Sequence, residues 1–250
     1  MADPVMSIPP PSDGPALHGR IIPVAALTSD ERHGMFALFA RYFEADRATF
    51  DRDLDEKECA VVLTEGEGDS IAGFSTLMRL EPMMGATPIT VFFSGDTVMD
   101  RAYWGSAELP RLWSRHVFHL ADSLPGRDVY WFLISSGFRT YRYLPLFFRD
   151  FVPNRNHSTP TETQRLLGEI ARAKFGARYD EASGIVRLEH RTPLRRGVSD
   201  PGPRELRDPN IRFFLEKNPQ SVEGDELACL VRIDRGNLTR AGQRMVNGRQ

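Results

Sequence analysis

The stretch DVYWFLI, residues Asp128 to Ile134, is almost continuously apolar. A strand that is covered on both faces of a sheet has this pattern, because neither face meets water. The next three residues, SSG at 135–137, interrupt the run with small and polar side chains. The pattern therefore predicts a central strand over 128–134, with further strands beside it.

Three extended segments precede this strand, at 58–64, 70–79 and 88–99. The first two flank the turn sequence GEGD and predict a hairpin. Gly95 predicts a bulge or bend in the third. Hairpin-linked strands are antiparallel, whereas strands joined through a helix can be parallel. The order thus predicts an α/β (α+β) fold with a mixed, mostly antiparallel central sheet flanked by helices.

Helical patterns lie between and after these strands. Thr28 and Glu31 have the spacing of a capping box, and Thr159 and Glu162 repeat it before a helix that Gly176 can end. Residues 138–151 predict a helix in two pieces, the second beginning at Pro145. The remaining predicted elements are a strand at 20–26, helices at 47–57, about 108–120 and 210–218, and strands at 184–190 and 226–233.

The sequence predicts one domain over 20–238, with an extra helical insertion at about 155–222. Five prolines before residue 16 predict a flexible lead-in over 1–19. Residues 239–250 read as a polar tail.

Composition disfavours several classes of protein. Lys and Arg number 32 and Asp and Glu 34, so the formal net charge of −2 gives no general attraction to nucleic acid. No apolar run approaches the roughly 20 residues that span a bilayer, so no integral membrane segment is expected. The first residues do not have the pattern of a secretory signal, which predicts a cytoplasmic protein. Cys59 and Cys229 lie in apolar strand-like runs and read as core thiols.

The stretch DRAYWGSAELPRLW, residues 100–113, leads from an extended segment into a helix. Two interpretations fit it. In the first, Gly105 only makes a tight turn while the Ser106 hydroxyl caps the helix. Alternatively, the small residues form a loop whose backbone amides hold phosphate at a helix N-terminus.

The element order resembles that of the GNAT family of acyl-CoA-dependent N-acyltransferases, over about 20–151 and the two late strands. In that family the fourth strand leads into a loop of Arg or Gln, two residues, Gly, one residue, and Gly or Ala, which holds the coenzyme A pyrophosphate. Gly105 and Ala107 fit the small positions, but Ala102 stands at the Arg or Gln position and Arg101 comes one residue earlier. The donor-binding residues that the resemblance implies are Val98, Arg101, Gly105, Ser106 and Ala107.

The resemblance also implies a donor and a general acid. The donor is acyl-CoA, or acyl-carrier protein, whose phosphopantetheine lacks the adenosine pyrophosphate and would suit the displaced Arg101. In the family a tyrosine after the fifth strand protonates the leaving thiolate, which makes Tyr141 or Tyr143 the candidate acid, with Tyr141 preferred. The other interpretation is that both rings are core packing.

Asp96 is the preferred candidate base, because a carboxylate is unusual in so apolar a strand. A hydrogen bond to its own backbone beside Gly95 is the other interpretation. Glu81 and His116 are further candidates. His116 and His119 lie three residues apart with no third ligand evident, so no metal is expected.

These features predict an acyltransferase that moves an acyl group from a pantetheine thioester to a small-molecule or peptide amine. Aromatic residues at 130–132, 146–148 and 151 would favour a medium or long acyl chain if they lined the acyl channel, and otherwise are core. A homodimer is a further expectation. The alternative is a non-catalytic ligand-binding or interaction protein on the same fold.

Overall fold

One sheet of eight strands organises the protein, whose computed structural model describes residues 16–66, 70–82, 89–198 and 200–248. Residues 1–15 of the predicted lead-in and most of the GEGD turn lie outside these ranges. The strands are β1 Leu17–Pro23, β2 Cys59–Glu65, β3 Ile71–Leu80, β4 Ile89–Met99, β5 Asp128–Ser135, β6 Tyr179–Asp180, β7 Ile185–Val186 and β8 Glu226–Arg232.

The strand order is β1-β2-β3-β4-β5-β8-β7-β6. Only β4 and β5 pair in parallel, and every other neighbouring pair is antiparallel. The helix between β4 and β5 makes the parallel pair possible, because a parallel neighbour needs a crossover. The predicted mixed, mostly antiparallel sheet flanked by helices is thus confirmed, with 128–134 as a central strand.

Eight α-helices cover the sheet in the described ranges. They are α1 Ser29–Tyr42, α2 Arg47–Asp55, α3 Glu108–Asp122, α4 Phe138–Tyr141, α5 Tyr143–Phe147, α6 Thr161–Phe175, α7 Pro209–Lys217 and α8 Arg240–Asn247.

Neighbouring strand residues face opposite layers of the core. Val61 packs in the layer that contains α3, whereas Val62 packs with α1 and α2. Phe92 likewise faces the α3 layer, and Phe93 packs with α6. Strands that are buried on both faces explain the continuous apolar runs of the sequence.

The two predicted capping boxes have different outcomes. At α1 the Thr28 N–H donates to Glu31 Oε2 at 2.7 Å and the Glu31 N–H donates to Thr28 Oγ1 at 3.2 Å, which confirms the box. At α6 the cap residue is Pro160, which has no side-chain acceptor, so the box expected from Thr159 and Glu162 does not form. Gly176 ends α6 with φ 59°, as predicted.

Residues 138–151 form two helices, but the predicted break at Pro145 is wrong. The first helix ends before Arg142, and Pro145 is the third residue of α5, where a missing N–H costs no intrahelical hydrogen bond. The chain is extended from Phe148, and the Val152 N–H donates to the β8 carbonyl of Leu230 at 2.9 Å. Pairing with β8 therefore replaces the end of the expected helix.

The last third of the chain departs most from the expected elements. The strand expected at 184–190 is only two residues long, β7, and pairs with β6, which the sequence pattern missed. The segment read as a polar tail contains α8, which packs against α3 and α5. Gly242 permits this contact, because an ideal Cβ there would overlap the carbonyl oxygen of Phe147.

Candidate active site

The sheet opens between β4 and β5. The two strands pair in parallel only as far as Ser94 and Leu133. Beyond that point β4 pairs with β3 alone and β5 with β8 alone. Residues 95–99 and 134–137 therefore form the two walls of a gap. Val98 lies in the first wall, with its side chain buried against α1.

A β-bulge at the start of the gap carries Asp96. The register shifts after Ser75, so that β4 places Gly95 and Asp96 opposite the single residue Thr76. An ideal Cβ on Gly95 would lie 2.5 Å from Thr76 Oγ1 and would overlap the side chain of Lys57. Glycine therefore lets the bulge lie against Lys57, and the bulge predicted from Gly95 is confirmed.

The gap belongs to a cleft of about 1860 Å³. Its lining joins the loop at 103–107, the two walls of the gap, and the carboxylates Asp53, Asp96 and Glu226. The lining thus includes both a loop with backbone amide groups and a set of carboxylates.

The loop before α3 presents backbone amides to the cleft. Ala107 is the N-cap residue and its side chain caps nothing, while the Ser106 hydroxyl accepts the Glu108 N–H at 3.2 Å. The N–H groups of Gly105 and Ala107 donate to no acceptor in the described ranges. Free amides beside the positive end of a helix dipole suit an anion.

Arg139, just beyond β5, reaches this loop from the opposite wall. Its Cζ lies 4.3 Å from the ring centre of Trp104, and its NH1 donates to the carbonyl of Val198 at 2.6 Å. Burial lowers the pKa of its guanidinium, and the nearby Arg101 adds to this effect. Arg101 itself is exposed and lies 5.4 Å from the same ring. Arg139 therefore brings positive charge to a loop in which Ala102 supplies none.

The connector at 191–208 borders the outer side of the cleft. The Arg195 N–H donates to the Tyr42 carbonyl at 2.8 Å at the end of α1, and Val198 accepts from Arg139. These hydrogen bonds hold the connector to the end of α1 and to Arg139.

The two candidate tyrosines lie in different environments. Tyr141 is fully buried, and its hydroxyl donates to the Pro153 carbonyl at 3.0 Å. Burial raises its pKa strongly. Tyr143 borders the cleft and stacks on Phe147 with ring centres 5.7 Å apart. Burial raises the pKa of Tyr143 too, while the neighbouring Arg142 lowers it. Only Tyr143 of the two borders the cleft.

Asp96 has two acidic neighbours. Burial and the charge of Asp53 raise its pKa to about 7, although Lys57 acts in the opposite direction. Burial and the charges of Asp96 and Asp53 raise the pKa of Glu226 to about 8. The pKa values of Asp96 and Glu226 thus lie near neutral pH, which suits a group that transfers protons.

Sequence reasoning did not single out Glu226. It is the first residue of β8 and alternates with Ala228 and Leu230, which face the α6 layer. A carboxylate at an inward position of an apolar strand was the signal that could have found it.

The other candidate bases lie elsewhere. Glu81 is exposed, and its Oε1 lies 3.4 Å from NH1 of Arg127. Nε2 of His116 lies 3.8 Å from the Sγ of Cys59, and burial lowers the pKa of this histidine. Burial also raises the pKa of Cys59 to about 11, so its thiol stays protonated at neutral pH.

The aromatic residues considered for the acyl channel divide between core and cleft. Trp131, Phe148 and Phe151 are buried in the α3 layer. Leu146 and Phe147 border the cleft. Phe93 and Phe175, on the opposite side of the sheet, also line it.

Within the described ranges, no group of three His, Cys, Asp or Glu side chains is arranged to hold a metal ion. No helix there has the length and apolar character that crossing a membrane requires.

No family model and no curated protein matches the sequence. Among solved structures, the chain is similar to a probable N-acyltransferase of Enterococcus faecalis V583, a conserved protein of unknown function, with 12% identity and a TM-score of 0.40. That match covers 54% of this chain but only 33% of the other. A Trypanosoma brucei acetyltransferase matches with 18% identity and a TM-score of 0.41, over 58% of this chain and 99% of its own.

A GNAT family N-acetyltransferase of Escherichia coli in complex with CoA matches with 21% identity and a TM-score of 0.34, over 52% of this chain and 69% of its own. The mixed eight-stranded sheet and the gap between β4 and β5 rest on the strand pairing of this chain itself.

Proposed function

We propose that the protein transfers an acyl group from a pantetheine thioester to an amine. The observation that carries this proposal is the open gap between β4 and β5, which leaves one edge of residues 95–99 without a neighbouring strand. An extended pantetheine arm, with its two amide groups, can occupy such an edge as an added strand would.

The loop before α3 supports phosphate binding at one end of this arm. The free amides of Gly105 and Ala107 would hold the phosphate, and Ser106 would shape the loop. Val98 would contact the arm through its backbone, and Arg101 would add charge from outside. The donor is acyl-CoA or acyl-carrier protein.

The catalytic roles fall to Tyr143 and Asp96. Asp96 accepts a proton from the attacking amine, whose lone pair forms the new C–N bond at the thioester carbonyl. The tetrahedral adduct collapses, the C–S bond breaks, and Tyr143 donates its proton to the leaving thiolate. Tyr143 is preferred to Tyr141 because it borders the cleft, whereas the Tyr141 hydroxyl is occupied by Pro153.

The cleft lining bears on the acyl group. Leu146 and Phe147 on one side of the sheet, and Phe93 and Phe175 on the other, each offer apolar surface for a medium or long chain. Each buried methylene would add roughly 0.8 kcal/mol to binding. The extra residues after 155, several of which line the cleft, would wall the acceptor side.

Calorimetric titration and thermal unfolding with CoA, acetyl-, octanoyl- and palmitoyl-CoA, and acylated carrier protein test donor binding. An acyl-transfer assay with amine acceptors tests the reaction. We expect one class of donor to bind, and the rise in Tm on binding to increase with chain length. Absence of binding by every donor would remove the proposal. Donor binding without transfer to any amine would instead support the non-catalytic ligand-binding alternative.

A further inference from the structure

We propose that Glu226 is a specificity-determining residue that, together with Asp96, binds the acceptor as an ammonium ion, so that the acceptor is a positively charged amine without a neighbouring carboxylate. This inference rests on the proposed function, because it assigns the acceptor side of the same cleft.

The two carboxylates approach the gap from different strands. Asp96 projects from the β4 bulge, and Glu226 begins β8, on the far side of β5. The pairing of β4 with β5 ends at Ser94 and that of β8 with β5 begins at Leu227, so both carboxylates lie at the same end of β5. Both line the cleft, and the charge of Asp96 acts on Glu226. An amine between them would meet a carboxylate on two sides.

The cations near this pair already have partners. Nζ of Lys57 lies 2.7 Å from Asp53 Oδ1 and also donates to the Asp53 carbonyl at 2.8 Å. Lys174 lies 2.5 Å from Glu56 Oε2. Neither Asp96 nor Glu226 has a hydrogen bond or ion pair to any described residue. The charge of Lys57 acts on Asp96, but neither carboxylate of the pair has a cation in direct contact within the described residues.

Two more basic residues line the cleft, Arg178 and His190. Nε of Arg178 donates to the carbonyl of Phe175 at 3.1 Å, which directs it toward the end of α6.

A buried hydroxyl gives a second, independent indication of a polar occupant. Thr76 is 1% exposed, and its Oγ1 has no hydrogen-bond partner in the part of the chain described. It lies against the face of Gly95 that the side chain of Lys57 also contacts, and Gly95 lines the cleft beside Asp96. An unpaired buried hydroxyl is costly, so a polar group or water brought by a ligand would stabilise this corner.

The proposal completes the proton balance of the transfer. The acceptor arrives as R–NH3+ held by Glu226 and gives one proton to Asp96. Its lone pair then forms the C–N bond, and the C–S bond breaks with protonation of the thiolate by Tyr143. The second proton lost from nitrogen leaves through the same carboxylates to solvent, which reprotonates Tyr143.

The test is calorimetric titration of the full chain at about pH 9, where Glu226 and Asp96 are ionised and alkylamines are still mostly protonated, free and saturated with CoA, with 1,4-diaminobutane, butylamine and glycine. We expect the diamine to bind tightest and glycine weakest, because the carboxylate of glycine is repelled. Glu226→Gln should weaken diamine binding by at least about tenfold and leave CoA affinity unchanged. Glu56→Gln, a carboxylate of the same cleft paired with Lys174, is the matched control and should change diamine affinity less than about threefold.

The outcomes separate the two proposals. Equal diamine affinity in Glu226→Gln and the unaltered protein, binding of glycine as tight as that of the diamine, or no amine binding to either form would overturn this inference. Absence of CoA binding would count against the proposed function instead, while the titration of the free protein would still decide the role of Glu226.

Thermal unfolding tests whether Glu226→Gln folds. The folded-state pKa of Glu226 lies above its unfolded value, so the wild type loses stability as pH rises through about 8. Glu226→Gln should therefore raise Tm at about pH 8.5 and leave it unchanged at about pH 5. If Tm falls at both pH values, Asp96→Asn takes its place in the titration, with the same expected loss of diamine affinity.

Discussion

Tyr141 and Tyr143 are two residues apart, yet only Tyr143 borders the cleft. The short helices α4 and α5 meet at Arg142, so the ring of Tyr141 enters the core while that of Tyr143 faces the cleft. A buried hydroxyl that already donates to a carbonyl can release its proton only by breaking that bond.

This contrast leads to a paired prediction. Tyr143→Phe should lower kcat for acyl transfer about a hundredfold, with Tm unchanged, because it removes the proton donor. Tyr141→Phe should leave kcat unchanged and lower the free energy of unfolding by about 1 kcal/mol, since the Pro153 carbonyl loses its donor. Steady-state kinetics and urea unfolding measure both quantities. A loss of activity only in Tyr141→Phe would assign the acid to the other tyrosine.

At the residue scale, the sequence could identify reactive side chains but not which of them border the cleft. Asp96 was recognisable because it interrupts an apolar strand. Which tyrosine faces the cleft depends on where α4 ends, and nothing within the stretch FRTYRYL determines this. The contribution of Arg139 to the loop was also invisible, since its contact with Trp104 joins residues that are distant in sequence.

The β4 bulge is an element whose geometry depends on one glycine. Gly95→Ala should lower the free energy of unfolding by about 1–3 kcal/mol, because the added methyl would overlap Lys57 and Thr76. Displacing the bulge should also move Asp96 and lower kcat. Urea unfolding and steady-state kinetics test this. Wild-type stability and kcat in this variant would show that the bulge tolerates a side chain.

The elements that sequence predicted best are those whose causes are local. The box at α1 forms because Thr28 and Glu31 need only their own backbone. The strands β6 and β7 were missed or overextended because two-residue strands exist only through pairing with one another and with β8. The similar spacing of Thr159 and Glu162 failed because Pro160 takes the cap position.

At the scale of the whole molecule, α8 joins the C-terminal segment to the α3 layer. Gly242→Ala should lower the free energy of unfolding by about 1–3 kcal/mol, because its methyl would meet the rigid backbone of Phe147. Gln243→Ala, at an exposed neighbouring position, is the control and should change it by less than about 0.5 kcal/mol. Equal unfolding curves for the two variants would contradict the close approach of α8.

The place of β8 beside β5 also has a consequence for biosynthesis. Until residues 226–232 leave the ribosome, one hydrogen-bonding edge of the apolar strand β5 has no neighbour. Such an edge is a template for pairing with other chains. Synthesis must therefore pass residue 232 before the centre of the sheet is complete, so the nascent chain depends on late, long-range contacts that slow folding and on protection from aggregation in the meantime.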